Sequence, residues 1–352
     1  MSIDQGSSTE AGPVPLPAGT RPGASPTGPL RTAVVGTGYL GRFHAQKYAA
    51  LSGCELVAVC DPDGARGAAI AEEVGTLALT DHRALAGLDG GCDAVSIASP
   101  TRSHFAVARD CLERGMHVLV EKPMTATIEE ARTLVTLAAE RGLVLQVGHL
   151  ERFNPALLSV ADLITAPTFV ESHRLAPFSQ RGTDVDVVLD LMIHDIDIIL
   201  HLVPSTLAAI HANGAKVVSE ATDIASVRLE FTDGCVANVT ASRVSGKRER
   251  RMRFFQKDRY VAIDFQQNTT RVCTVNREGS PDANGVPPIE CTDAECGRGD
   301  AILAEIEAFV HAVRNATRPL VSGEDGLRAL ETAIRIGERL RGEAARVPGM
   351  AS

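Results

Sequence analysis

Three sets of residues in this 352-residue chain have the types and spacing that do chemistry. The first is Gly36-Thr37-Gly38-Tyr39-Leu40-Gly41, a G-x-G-x-x-G run placed after the short β-branched stretch Thr32 to Val35 and before an amphipathic run. Such glycines permit a tight turn, let backbone N–H groups approach a pyrophosphate, and pack a helix close to its strand with its positive end toward the anion. The second is Asp61, which closes the stretch Leu56 to Cys60 about twenty residues further on, where a carboxylate accepts hydrogen bonds from an adenosine ribose diol and disfavours a 2′-phosphate. That favours NAD, while Arg66 nearby leaves NADP open. The third set is Lys122, with Glu121 before it and Pro123 after it, together with His194 and Asp190. Hydride transfer from a secondary alcohol needs a proton acceptor, a group that stabilises the developing alkoxide, and a carbon held against the nicotinamide. His194 titrates nearest working pH and is expected to be the general acid/base. A lysine beside an oxidised, positively charged cofactor has its charged form disfavoured, so Lys122 could act as a base or as a donor to oxygen; it is expected to position and polarise the hydroxyl, and the sequence leaves open which of Lys122 and His194 takes the proton.

These residues need a frame that brings strand ends together, and the pattern supplies one. From residue 30 to 150 short apolar strands alternate with helical stretches, which predicts a parallel sheet covered on both faces, with its ligand at the strands' carboxyl ends. Ser99, Pro100 and Thr101 follow the fourth strand and, with His104 opening the next helix, are expected at the cofactor. Gly148 and His149 follow the sixth strand. His149, Arg152, Phe153 and Asn154 sit at a domain junction, where substrate contact and interdomain packing are both open readings. From 151 to 320 the rhythm changes: a helix over Pro155 to Ile164, a long helix from about Asp184 to Leu202, then successive strands joined by turns such as Thr232-Asp233-Gly234. On a regular helix Asp186, Asp190 and His194, spaced four and four, share a face. This second domain is expected to be α+β with an open, mostly antiparallel sheet, and residues 321–345 to form a helix packing back on both domains.

Composition narrows the classes. A formal net charge of −9 argues against nucleic acid or an anionic membrane as partner, and there is no apolar run long enough to span a bilayer. Residues 1–29, rich in Gly, Pro, Ser and Thr, are expected to be a disordered tail. The eight cysteines are scattered without C-x-x-C, the usage of a reducing cytoplasm; Cys291 and Cys296, the nearest pair in sequence, lack the partners of a zinc set, and no metal site is expected.

With GTGYLG, Asp61, ASPTRSH, EKP and an Asp190-x-x-x-His194 pair in this order, the chain resembles the Gfo/Idh/MocA oxidoreductases from about Arg31 to Leu340. That resemblance implies an NAD(P)-binding Rossmann domain followed by an α/β domain whose open sheet pairs subunits into a homodimer or homotetramer. It also implies that Lys122 and His194 face substrate. GHLERFNPA and the block Ser242 to Phe265 resemble the UDP-N-acetylglucosamine 3-dehydrogenase subgroup, which oxidises the sugar 3-hydroxyl in amino-sugar synthesis for lipid A-type glycolipids. Arg243 and the other basic residues of that block (Lys247, Arg248, Arg250, Arg251, Arg253) could bind a pyrophosphate or protect a solvated sheet edge. Alternatives are a dehydrogenase of inositol or another free polyol, a hydrolase that uses NAD transiently, and a non-catalytic NAD-binding regulator.

Overall fold

A computed structural model describes residues 28–179, 185–297 and 299–344; the expected tail lies, through residue 27, outside them. The first six strands, β1 (Leu30–Val35), β2 (Cys54–Cys60), β3 (Leu77–Leu79), β4 (Ala94–Ile97), β5 (His117–Glu121) and β6 (Leu145–Gly148), form one parallel sheet in the order β3-β2-β1-β4-β5-β6. The order reverses between β1 and β4, so their carboxyl ends open a crevice for a ligand. β4 and the middle of β5 are buried along their length, as strands covered on both faces must be. The covering helices are α1 (Tyr39–Ala50), α2 (Gly64–Val74), α3 (Thr101–Glu113) and α4 (Ile128–Arg141). α4 is closed at both ends by local chemistry, a Thr127/Glu130 capping box and Gly142 in the left-handed region at φ 64°. The stretch after Asp81, expected as a helix, is a 3₁₀ turn over His82–Gly87.

Past β6 the expected helix over Pro155 to Ile164 is broken into α5 (Pro155–Leu158) and a 3₁₀ turn, Ala161–Leu163. Strand β7 (Pro167–Leu175) then precedes a π-helical turn, Val188–Met192, that runs into α6 (Ile193–Leu202). β8 (Leu207–Ala215), β9 (Ile224–Phe231), β10 (Val236–Ser242), β11 (Glu249–Gln256), β12 (Arg259–Asp264), β13 (Thr269–Val275) and β14 (Ile289–Glu295) complete a second sheet in the order β14-β13-β12-β11-β7-β10-β9-β8. It is antiparallel except where β7 and β10 pair in parallel. One face is apolar and packs on α6 and the C-terminal helix: Val170, Val239, Met252, Phe254 and Val261 meet Ile193, Ile196 and Ile336 there.

Two expectations are corrected. The helix α7 (Ala301–Asn315) was expected to belong with the second domain, yet Ile306, Phe309, Val310 and Val313 pack on Leu30, Val34 and Tyr48 of the first. Its amphipathic stripe shows that it buries a face, not against which sheet. α8 (Gly323–Ala344) touches both cores, through Leu330 on one side and Ile336 on the other. The cysteines were expected to be free, but Cys273 and Cys291 stand directly opposite on β13 and β14, with Cα atoms 4.1 Å apart, and form a disulfide. Strand pairing creates that neighbour, and linear spacing does not reveal it. Cys296 remains a free thiol.

Candidate active site

The glycine turn fits a dinucleotide for steric reasons that can be tested position by position. Gly36 has φ +91°, and a Cβ there would lie 2.5 Å from the Ser99 amide nitrogen; a Cβ on Gly41 would lie 1.8 Å from the Gly36 carbonyl oxygen. A Cβ on Gly38, by contrast, meets nothing within 4 Å, so this residue borders open space where α1 begins. Asp61 is buried and accepts from the Thr37 amide and hydroxyl, both at 2.8 Å, from the Asp63 amide, and from Arg66. Burial alone would raise its pKa, but the hydrogen bonds from Arg66, Thr37 and Asp63 outweigh it and hold the carboxyl well below the usual range. A groove of about 790 Å³ runs past Gly36, Asp61, Arg66, Ser99, Pro100 and Ser103, the size expected for the adenosine half of a cofactor. Thr101 starts α3 beside it, and Tyr39, exposed, stacks edge-on against Phe43 at the start of α1.

Lys122 and His194, the residues expected to handle the proton, come together from different domains. Lys122, at the end of β5 and before a cis Pro123, donates from Nζ to the backbone carbonyl of Asp190 at 2.7 Å. In a π turn each amide bonds five residues back instead of four, which opens carbonyls to outside donors; the Ile193 amide bonds the Val188 carbonyl in this way. Burial lowers the lysine's pKa, and Asp190 and Glu121 partly oppose that. His194 opens α6 with its Nδ1 buried and unpartnered, and its ring stands perpendicular to that of His149 with centroids 6.4 Å apart. Burial, then the charges of Lys122 and Arg174, push the His194 pKa well below that of a free imidazole. His149 is likewise lowered by burial. The pair is framed by Arg174 on β7, clamped by Asp195 at 2.7 Å and Glu151 at 2.8 Å. Burial disfavours that guanidinium, but the two carboxylates outweigh it and raise its pKa further. Arg250, directly opposite Arg174 in the sheet, projects on the same side and lies 3.5 Å from Glu151.

Two family models cover most of the described chain: an oxidoreductase family with an NAD-binding Rossmann fold matches residues 30–149, and a GFO/IDH/MocA C-terminal domain matches residues 167–260. The chain belongs to the Gfo/Idh/MocA oxidoreductase family. Its first domain binds NAD, and it is an oxidoreductase of the kind that acts on CH–OH groups. It is 41% identical over 309 residues to a UDP-N-acetylglucosamine 3-dehydrogenase of Acidithiobacillus ferrooxidans, covering 87% of this chain and 96% of that one. A crystal structure of the A. ferrooxidans UDP-N-acetylglucosamine 3-dehydrogenase superposes with a TM-score of 0.82 at 38% identity, over 89% of this chain and 98% of the other. A scyllo-inositol 2-dehydrogenase (NAD(+)) of Bacillus subtilis is 27% identical, over 87% and 92% of the two chains.

Within this Gfo/Idh/MocA chain several expected site residues do other work. His104 is buried and braces two loops, with Nδ1 2.9 Å from the Pro123 carbonyl and Nε2 2.7 Å from that of Ser99, so it shapes the cofactor wall from behind. Arg152 is buried against Asp197 and donates to the Leu320 carbonyl; Phe153 is core; Asn154 caps α5 through the Ala156 amide. Of the junction residues, only His149 stands beside His194. Arg243 donates to Asp223 at 2.9 Å and to the Val185 carbonyl, internal contacts that make it a structural strut. Asp186 turns back to the Val188 and Leu189 amides, so of the expected three-residue face only Asp190 and His194 bear on Lys122, Asp190 through both its carbonyl and its charge. The frame of Arg174, Glu151 and Asp195 went unpredicted. Its only trace in the sequence is a set of charges at positions where strand and helix periodicity expects apolar residues.

The steric contrast between the glycines gives a test of the cradle. Gly38→Val should leave the thermal transition nearly unchanged and weaken NAD binding by about tenfold or more, since its side chain projects where the cofactor backbone must pass. Gly41→Val, driven into the Gly36 carbonyl, should destabilise the fold itself. Calorimetry of NAD binding alongside thermal melts reads both; a Gly38→Val protein with unaltered NAD affinity would remove this turn from the cofactor site.

Proposed function

We propose that this enzyme oxidises the 3-hydroxyl of UDP-N-acetylglucosamine with NAD in nucleotide-sugar metabolism. The observation that carries this is the 41% identity to a UDP-N-acetylglucosamine 3-dehydrogenase across 96% of its length, against 27% to the scyllo-inositol enzyme. NAD, when bound, accepts the hydride. The chain's own residues do the rest: Gly36 to Gly41 and Asp61 hold the dinucleotide, with half-exposed Arg66 the donor that a ribose diol would replace on the Asp61 carboxylate. His194, kept unprotonated by its surroundings, takes the hydroxyl proton. Lys122, anchored on the Asp190 carbonyl, aims its remaining N–H groups at the same oxygen and stabilises negative charge there.

Strand parity divides the basic block. Arg251, Arg253 and Phe255 lie on the open face, where Arg251 pairs with Asp264 and Arg253 with Glu171, whereas Arg250 shares the side of Met252 and Phe254 and neighbours the Lys122 site. Arg250, half exposed and among the described residues paired with Glu151 at 3.5 Å, is our candidate for the substrate pyrophosphate. The open face carries a row of rings, Phe169, Phe255 and Tyr260, at centroid spacings of 5.7 and 5.0 Å, which supports a homo-oligomer formed through this sheet. No described helix is long and apolar enough to cross a membrane. We infer a cytoplasmic enzyme because NAD and nucleotide sugars are supplied there.

This reading is testable at the substrate, at the base and at the sheet. NADH absorbance should rise with UDP-N-acetylglucosamine and stay flat with inositol and free N-acetylglucosamine, and Arg250→Ala should raise KM for the nucleotide sugar about tenfold or more while leaving kcat within about twofold; turnover of inositol alone would overturn the assignment. A base whose pKa is lowered stays deprotonated to lower pH, so kcat/KM should hold through the ordinary imidazole pKa of about 6.5 and fall only well below that pH. In Lys122→Met, which removes a positive charge that lowers the His194 pKa, the rate should drop by about a hundredfold or more and the acid limb should move to higher pH; an acid limb of the unaltered enzyme in the alkaline range would transfer the proton to Lys122. Sedimentation equilibrium should show Phe255→Asp as a monomer, and a native protein already monomeric would refute pairing through the sheet.

A further inference from the structure

Behind the Lys122 strand end lies a buried polar cluster that the reaction above does not use. His44 on α1, Glu121 at the end of β5 and Glu305 on α7 bring one ring nitrogen and two carboxylate oxygens within 4.8 Å of one another. His44 and Glu305 are shut off from solvent, at 1% and 0% exposure. Among the described residues no donor reaches either Glu305 oxygen. Gln146 on β6 donates to the Glu305 backbone carbonyl instead, and its own Oε1 is buried without a partner. Glu121 is better served: the Lys122 amide donates to its Oε2 at 3.3 Å, while His44 Nε2 lies 3.2 Å from its Oε1 without hydrogen-bonding geometry.

Two carboxylates this close, in a dry site, cannot both carry charge, and one must hold a proton. We propose that Glu305 is a positioning residue: a neutral carboxylic acid whose O–H serves the Glu121 carboxylate, so that Glu121 keeps its negative charge directly behind Lys122. Glu121 accepts from the Lys122 amide and stands beside the Lys122 ammonium, whereas no donor among the described residues reaches Glu305, which decides between them. Burial, with the Glu121 charge added, raises the Glu305 pKa well above the carboxyl range. The groups facing Glu305 are His44 and Tyr48 from α1, Glu121 from β5 and Gln146 from β6, with no lysine or arginine among them. The Glu121 charge in turn raises the pKa of Lys122, which also faces Asp190, Arg174 and His194. Its carboxyl packs so close to Gly148 that an added Cβ there would sit 3.0 Å away, so one carboxylate supports the backbone leading to Lys122 and that leading to His149.

The effect on turnover rests on Lys122 acting in the proposed oxidation, but the protonation state does not, and the test separates them. Infrared spectroscopy of the full-length NAD-bound protein at neutral pH should show the carbonyl stretch of a protonated carboxyl, lost in Glu305→Gln. Glu305→Gln, which keeps an N–H donor toward Glu121, should retain kcat within about threefold and an unshifted pH profile. Glu305→Leu should lower kcat by about tenfold with NAD affinity unchanged. A native spectrum without that band, a folded Glu305→Gln protein without activity, or a stoichiometric divalent metal in elemental analysis that chelation removes would each overturn the proposal; the last would make the cluster a metal site.

Discussion

A buried ammonium group must find acceptors, and Lys122 finds its hydrogen-bond partner in the other half of the molecule. Its nitrogen leaves the parallel sheet and reaches the Asp190 carbonyl on the turn before α6. The cofactor-binding sheet and the substrate-side sheet are thereby tied at the point where chemistry must occur. That contact also explains the irregular turn: a continuous α-helix through residue 190 would give this carbonyl to the helix's own amide. The local cost of a π turn is offset by satisfying a charge that would otherwise be stranded out of water.

Around this tie the protein sets its charges in opposition. Arg174 is enclosed between Asp195 and Glu151, and Arg250 projects beside it. A guanidinium fixed by two carboxylates does not move toward a substrate; its charge, with that of Lys122, adds to burial in holding the His194 pKa down. His194, surrounded by such cations and out of water, is neutral at working pH and ready to accept a proton. Removing one partner of a buried pair of this kind costs about 3–5 kcal/mol. The frame is therefore structural and functional at once. Glu121, on the opposite side of Lys122, supplies the balancing negative charge.

What could be read from the sequence was what local spacing imposes. The glycine turn, Asp61 after the next strand, and Glu121-Lys122-Pro123 at a strand end are legible because phosphate, ribose and nicotinamide demand particular groups at particular strand ends, and the alternation of strands and helices sets those ends side by side. The Gfo/Idh/MocA assignment and the two-sheet architecture follow from that order of motifs. What escaped was set by pairings distant in the chain. Arg243 and Arg250 look alike in a basic stretch; only the register of β11 on β7 shows that Arg250 faces the site while Arg243 is consumed by Asp223. The i, i+4 spacing of Asp186, Asp190 and His194 reads as one helix face until a π turn inserts a residue into the repeat. His104 and the Cys273–Cys291 disulfide obtain their partners across loops and strands that no linear pattern brings together.

The central claim is that the hydrogen on C3 of a nucleotide sugar leaves as hydride, from a carbon whose hydroxyl is held by Lys122 and His194. The direct measurement uses UDP-N-acetylglucosamine deuterated at C3, with NAD and a trap for the ketone. Deuterium is expected in the reduced cofactor, one atom per turnover, with a primary isotope effect on the single-turnover rate. Deuterium retained in the sugar, or released to solvent with none in the cofactor, would contradict that claim.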